Sequence, residues 1–421
     1  MESKDQDFKA PRIMWYTSTR GGAPRVNFEG ALFSGYAPDG GLYMPEELPQ
    51  LDRETLCRWS TLSYRSLVKE LCALFIGLEL IPRHDLNDLI DQAFSRFRHR
   101  DVVHLHRLRD GLNILELWHG VTYAFKDLSL SCTAQFMQYF LQKRKKHVTI
   151  VVGTSGDTGS AAIESVQGLK NVDIIVLLPK GRCTKIQELQ MTTVLKENVR
   201  VFGAGCIAQK MGLPIRLVVA VNGNDIIHRT VQKGDFSLCE VVKPTLASAM
   251  DIQVPYNMER IFWLLSGSDS QATRALMEQF ERSQSLHLPK ELHSKLSEAV
   301  TSESVSDEAI IQTMGRCWEE NQYLLCPHSA TAVNYHYQQS DNGQSSSISR
   351  CCLAPASAAK FPEAVQAAGL TPQTPAEILA LEHKETRCIP MQRGDDWTQM
   401  LRCTIEGLSQ RWEGCAVNSS E

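Results

Sequence analysis

Between residues 112 and 202 the chain alternates short unbroken apolar runs with helical stretches, and this constrains the fold more than any other feature of the sequence. Residues 112–117 (LNILEL), 148–152 (VTIVV), 172–178 (VDIIVLL) and 199–202 read as strands. Residues 127–144, 158–167 and 184–196 read as helices, the first of them amphipathic. Strands apolar at successive positions predict a parallel sheet covered on both faces, with right-handed crossovers. The expected class is therefore α/β.

Further patterns extend this outline. Residues 56–74 and 86–97 have helical spacing, and a turn-rich stretch dense in glycine and proline precedes them. A short helical piece is expected at 204–211, a strand at 215–221, a surface loop at 338–350 and a strand at 351–353. These give three expected spans: an N-terminal turn-rich and helical domain at 1–110, a small α/β domain at 111–203, and a larger domain at 204–421.

Composition narrows the partners. Apolar residues make up 43% and charged residues 22% of 421, which excludes a disordered chain, a collagen and a coiled-coil rod. Forty-four basic against 48 acidic residues leave −4, so charge gives no case for nucleic acid or an anionic membrane. The apolar run at 71–78 is too short to cross a bilayer. The polar, mixed-charge residues 1–13 resemble neither a signal peptide nor a mitochondrial presequence, so a cytoplasmic location is expected. The 13 cysteines include no C-x-x-C, and the adjacent Cys351 and Cys352 suit no ordinary bridge. Most of them are expected to be reduced core residues, and no metal is expected.

Two stretches carry chemistry. In Glu116–Asp127 (ELWHGVTYAFKD) a strand gives way to a helix, placing Lys126 in the first turn. The helix dipole and the apolar surroundings, Phe125 among them, would both lower the pKa of that amine, as a Schiff-base lysine requires. The competing reading is a solvated helix-start lysine paired with Asp127. The second stretch is Gly153–Ser160 (GTSGDTGS), between a strand and a helix. Backbone amides and the hydroxyls of Thr154, Ser155 and Thr158 would suit an anion; a tight strand-to-helix turn is the alternative. It is not a P-loop, and its G-x-x-G-x-x-G spacing is a poor dinucleotide fingerprint. His328 reads as a satisfied helix-start histidine, residues 143–147 (KRKKH) as a solvated helix end, and Lys180 and Lys185 as either solvated or facing an anion.

STRGGAPRVNFEGALFSGYAPDGGLYMPE (18–46), HGVTYAFKDLSL (119–130), GTSGDTGSAA (153–162), QELQMTT (187–193), NDIIHR (224–229), ASAMDIQVPYNMER (247–260) and CPHSATAV (326–333) resemble the threonine synthase family over nearly the whole chain. The resemblance implies a type II pyridoxal-phosphate fold. It implies that Lys126 forms the internal aldimine, that Phe125 and Asp157 line the cofactor, and that Thr154, Ser155, Gly156 and Thr158 hold the substrate carboxylate. His119 and Thr122 match the loop approaching the cofactor. Relatives of this fold often carry Asn where Asp157 stands. Pro355 stands where the biosynthetic enzymes place a threonine hydroxyl against the pyridine nitrogen, and Ser357 is the nearby substitute.

The chemistry implied is a pyridoxal-phosphate-dependent phospho-lyase. It would take small phosphorylated amino acids, O-phosphohomoserine or O-phosphothreonine, to 2-oxobutyrate, ammonia and phosphate. A true threonine synthase and a non-catalytic binding or signalling protein are the alternatives, with a nucleotide-dependent dehydrogenase remote. Relatives on this fold are often dimers, which implies a homodimer. One departure stands out: several dozen family residues, including the glycine-rich loop that cradles the cofactor phosphate, are expected to be missing after Gly203. The chain would then be inactive, bind cofactor weakly through Lys126 alone, or have rebuilt the cradle elsewhere.

Overall fold

A computed structural model describes residues 14–154, 156–178, 183–196, 198, 216–343, 349–389 and 396–418. Ser155, Lys180, the expected strand at 199–202, the short helix at 204–211 and the junction after Gly203 lie outside them. Two compact units divide the chain. One takes residues 1–92, 204–245 and 250–307, the other 93–203, 246–249 and 308–421. The expected span 204–421 is thus shared between the units, and 93–110 groups with the α/β region.

The second unit holds the alternating pattern. Strand β1 (His104–Arg107) runs antiparallel to β2 (Leu112–Glu116), and β2 pairs in parallel with β5 (Arg350–Ala354). Strand β3 (Val148–Gly153) pairs in parallel with β4 (Val172–Leu177), Val148 opposite Val172. Helices α1 (Lys126–Arg144), α2 (Asp157–Val166) and α3 (Lys185–Thr192) follow β2, β3 and β4. Ala134 and Leu141 of α1, Val152 of β3, Ala162, Ile163 and Val166 of α2, Ile174 of β4 and Met191 of α3 close one core between them. The α/β class and the parallel pairing are as the sequence predicts.

Two expectations need correction. Helix α1 is not amphipathic: Phe136, Met137, Gln138, Phe140 and Leu141 are all buried, which encloses it on more than one side. Strand β3 is not covered on both faces, since Val151 is 41% exposed and pairing among the described residues reaches only β4.

Local chemistry explains several boundaries. The helix expected at 56–74 forms as Arg53–Trp59 and Tyr64–Phe75. Between them, Ser60 and Thr61 turn their hydroxyls onto the carbonyls of Cys57 and Arg58, and Ser63 caps the second helix through the Ser66 amide. Helix α4 (Pro327–Asp341) runs into the tract expected to be a loop, entered by a Cys326 cap with proline at its start. In the basic stretch 143–147, Lys143 to Lys146 are exposed as expected, with Lys145 in a left-handed C-cap and Lys143 and Arg144 complementing the helix dipole, but His147 is half-buried with its Nε2 2.7 Å from the Asp173 carboxylate.

In the first unit, Leu217–Val221 pairs in parallel with Val300–Ser304. Phe236, Phe262 and Phe280 centre its core, with ring centroids 5.4 and 4.8 Å apart. Arg20 donates both its Nε and an Nη to Glu259 at 3.1 Å, joining two of the motifs that carry the resemblance. The 11 cysteines whose side chains are described are free, but of these only Cys132, Cys317, Cys326 and Cys352 are buried, which corrects the expectation that most lie in the core. No helix among the described residues is long and apolar enough to cross a membrane.

Candidate active site around Lys126

The loop between β2 and α1 is held by the segment after β5. The Phe125 amide donates to the Pro355 carbonyl at 2.7 Å, the Ser357 amide to the Tyr123 carbonyl at 3.1 Å, and the Leu117 amide to the Ala354 carbonyl at 3.1 Å. Tyr123 takes a left-handed conformation, φ 59°, and its hydroxyl donates to Glu377 at 2.5 Å beneath the Arg98 guanidinium. Pro355 therefore contributes through its carbonyl. The Ser357 hydroxyl caps the Ala359 amide at 3.3 Å.

Asp127 does not pair with Lys126. Its carboxylate accepts the Thr122 amide and the Thr122 hydroxyl, each at 2.8 Å, closing the loop just ahead of the helix. Burial pushes this carboxyl up to about 6 against those two hydrogen bonds. Lys126, freed of that partner, opens α1 with Nζ 4.5 Å from the centre of the Phe125 ring. Burial lowers its pKa, the Asp157 charge opposes this, and the Lys360 charge adds to it; the net direction is down.

The described residues of 153–160 form a tight turn with a charged floor. The Thr154 hydroxyl accepts the amides of Gly156 and Gly159, each at 3.1 Å, so it stitches the turn together. Gly156 sits at φ 153°, and a Cβ there would lie 2.8 Å from the Gln187 side chain. Thr158 is half-buried in the first turn of α2. Asp157 is buried, and its Oδ1 receives Lys360 Nζ at 2.6 Å and Gln187 Nε2 at 2.9 Å. Burial would raise this carboxyl, but the Lys360 and Lys126 charges outweigh it and hold it well below the usual carboxylate range.

Lys360 was not singled out by sequence reasoning. It is fully buried, and the same ammonium donates to the Thr122 carbonyl at 2.8 Å. It thereby ties the lysine loop to the Asp157 turn. The available signal was one cation inside the otherwise uncharged segment 353–361 (LAPASAAKF). His328, at the start of α4, is also here: burial pushes it down to about 4, and Asp157, Lys126 and Lys360 are the charges acting on it. Its Nε2 accepts the Ala249 amide at 3.2 Å, and its ring lies 4.7 Å from that of Phe361. His119 faces elsewhere, with Nε2 2.9 Å from Glu116. Lys185 is exposed.

The chain is 75% identical to the rat protein Threonine synthase-like 2, over 97% of this chain and 100% of the relative. The chain belongs to the threonine synthase family. The family profiles for the threonine synthase N terminus and C-terminal region match residues 15–94 and 329–401. Among solved structures, yeast threonine synthase superposes with a TM-score of 0.85 at 30% identity, covering 94% of this chain and 98% of that one. The PLP-bound threonine synthase of Brucella melitensis gives 0.82 at 31% identity, covering 89% and 95%. The fold is thus that of pyridoxal-phosphate-dependent threonine synthases. The rat alignment spans 485 positions against this chain's 421 residues, so at least 64 of the relative's residues have no counterpart here.

Proposed function

We propose that the chain is a pyridoxal-phosphate-dependent phospho-lyase acting on O-phosphohomoserine or O-phosphothreonine, with Lys126 as its central group. The observation that carries the reading is a helix-start lysine whose neighbouring carboxylate, Asp127, is turned onto Thr122 instead, and whose pKa is lowered by burial, in a chain of this family. A lysine whose amine gives up its proton more readily than usual, in a half-buried site, fits a cofactor aldehyde, and the ionised Asp157 would supply a fixed negative charge to the group held there. When bound, pyridoxal phosphate supplies an electron sink for charge developing at the amino-acid α-carbon.

The residues of this chain do the rest. Lys126 would hold the cofactor through Nζ, and the same Nζ would take the α-proton of the bound amino acid. Phe125 packs against the amine and keeps water from it. Asp157, fixed by Lys360 and Gln187, holds its charge without taking a proton. The amides opening α2 and the Thr158 hydroxyl receive the substrate carboxylate, with Ser155 assigned the same role. Loss of phosphate and hydrolysis then give 2-oxobutyrate and ammonia. A cytoplasmic homodimer taking small phosphorylated amino acids completes the reading.

The test is to incubate the full chain with pyridoxal phosphate, reduce with borohydride and map the adduct, then assay 2-oxobutyrate. Label on Lys126, with turnover lost in Lys126→Ala, supports the proposal; label scattered over surface lysines and equal turnover in both chains would sink it. A second reading, a non-catalytic binding protein, is favoured by the missing aligned positions. Turnover dependent on Lys126 removes it.

A further inference from the structure

We propose that His99, Asp101 and His104 form a site for a divalent first-row transition metal, with zinc as its expected occupant. Among the described residues they form a group offering one ligand atom each, all within 4.8 Å of one another. Sequence reasoning looked for paired cysteines and passed over this His-x-Asp-x-x-His spacing. Two imidazoles and one carboxylate suit zinc and its neighbours, whereas calcium and magnesium call for oxygen-rich shells.

The turn that carries the three residues is built in advance. Val102, between the ligands, sits at φ 67°, a costly conformation for a β-branched residue. Burial of its side chain, 1% exposed, holds it there. The Val102 amide donates to the His99 carbonyl at 3.0 Å and the Val103 amide to the Asp101 carbonyl at 2.8 Å. The fold has thus fixed the turn before any ion arrives. Ligand atoms around tetrahedral zinc sit about 3.4 Å apart. The observed spread closes by small rotations of the partly exposed His99 and Asp101 side chains. Coordination through His99 Nδ1 exchanges a long hydrogen bond from the Asp101 amide, 3.2 Å, for a metal bond.

A third imidazole and a carboxylate stand beside the three ligands. The His99 and His104 rings lie 4.9 Å apart, and His119 is 4.8 Å from His99. Glu116 stands opposite His104 in the β1–β2 register, holds His119 at 2.9 Å and accepts the Tyr323 hydroxyl at 2.6 Å. Three protein ligands leave an open position for water. An ion here would pin the turn to the loop that leads to Lys126, because the neighbouring Arg98 amide donates to the His119 carbonyl at 2.9 Å and its guanidinium to the Gly120 carbonyl at 2.5 Å. The site stands apart from the lysine chemistry and does not depend on it.

The experiment titrates the metal-stripped full chain with Zn2+ by calorimetry and with Co2+ by visible absorption. Expected is one equivalent bound, with cobalt bands that lack a thiolate charge-transfer component. Affinity should fall at least tenfold in His99→Ala and in His104→Ala and persist in His84→Ala, an exposed histidine of the other unit. Asp101→Asn, exposed and conservative, should also weaken binding and guards against loss of fold in the histidine variants; the metal-free thermal midpoint of each variant checks this. Unchanged affinity in the folded variants, or thiolate bands that mark capture by cysteine, overturns the proposal.

Discussion

Lys360 shows how much a single buried charge can decide. Its ammonium has Asp157 and the Thr122 carbonyl as partners inside a fully buried site. Lys360→Met leaves the buried Asp157 carboxylate without its ion-pair partner, with only the Gln187 amide still donating to it, and denaturant unfolding should show a loss of about 3–5 kcal/mol. Adding Asp157→Asn should restore part of it, a coupling of about 1–3 kcal/mol in the double-mutant cycle; strictly additive losses would mean the pair is not coupled. His328 makes a pH-dependent case. Its folded pKa, about 4, lies below the ordinary 6.5, so the unfolded chain binds the extra proton between those values. Its contribution is complete above pH 6.5 and is lost as pH falls toward 4, up to about 3 kcal/mol. A His328→Gln variant should show a flatter stability profile over that window.

Among the elements, the strand-to-helix turn at Gly153–Ser160 is the most sensitive. Gly156→Ala combines an unfavourable backbone angle with a contact on Gln187, and thermal unfolding should register a loss of about 1–3 kcal/mol. Gly168→Ala meets nothing within 4 Å, so its cost is confined to the left-handed backbone and should be smaller. Strands β2 to β4 and helices α1 to α3 were legible because their apolar runs and caps are local. The same holds for Lys126, whose helix-start position follows from a strand, a loop and a helix in succession. Lys360 and the pairing of β2 with β5 were not legible, because their partners lie more than two hundred residues away and no periodicity records them. Val102 was equally hidden, since nothing in its side chain announces a left-handed backbone.

For the whole molecule, the shortfall of at least 64 aligned positions is the feature that separates this chain from its relatives. If those positions supply the phosphate cradle, a chimera carrying the rat segment after Gly203 should bind pyridoxal phosphate at least about tenfold tighter, a gain of about 1.4 kcal/mol. Absorbance titration of both proteins measures this, and equal affinities would place the cradle in the residues already present.

The Lys360–Asp157 pair also bears on how the protein is made. Synthesis runs from the N-terminus, so Asp157 leaves the ribosome long before Lys360 follows. Until then the carboxylate at the start of α2 has the Lys126 charge nearby but not the cation that pairs with it directly, and the Thr122 carbonyl lacks the same donor. The nascent second unit must therefore wait, with its floor open, for a residue about two hundred positions further along the chain. Ribosome-bound chains halted before residue 360 should be cut by protease within 117–160, and those released beyond it should resist.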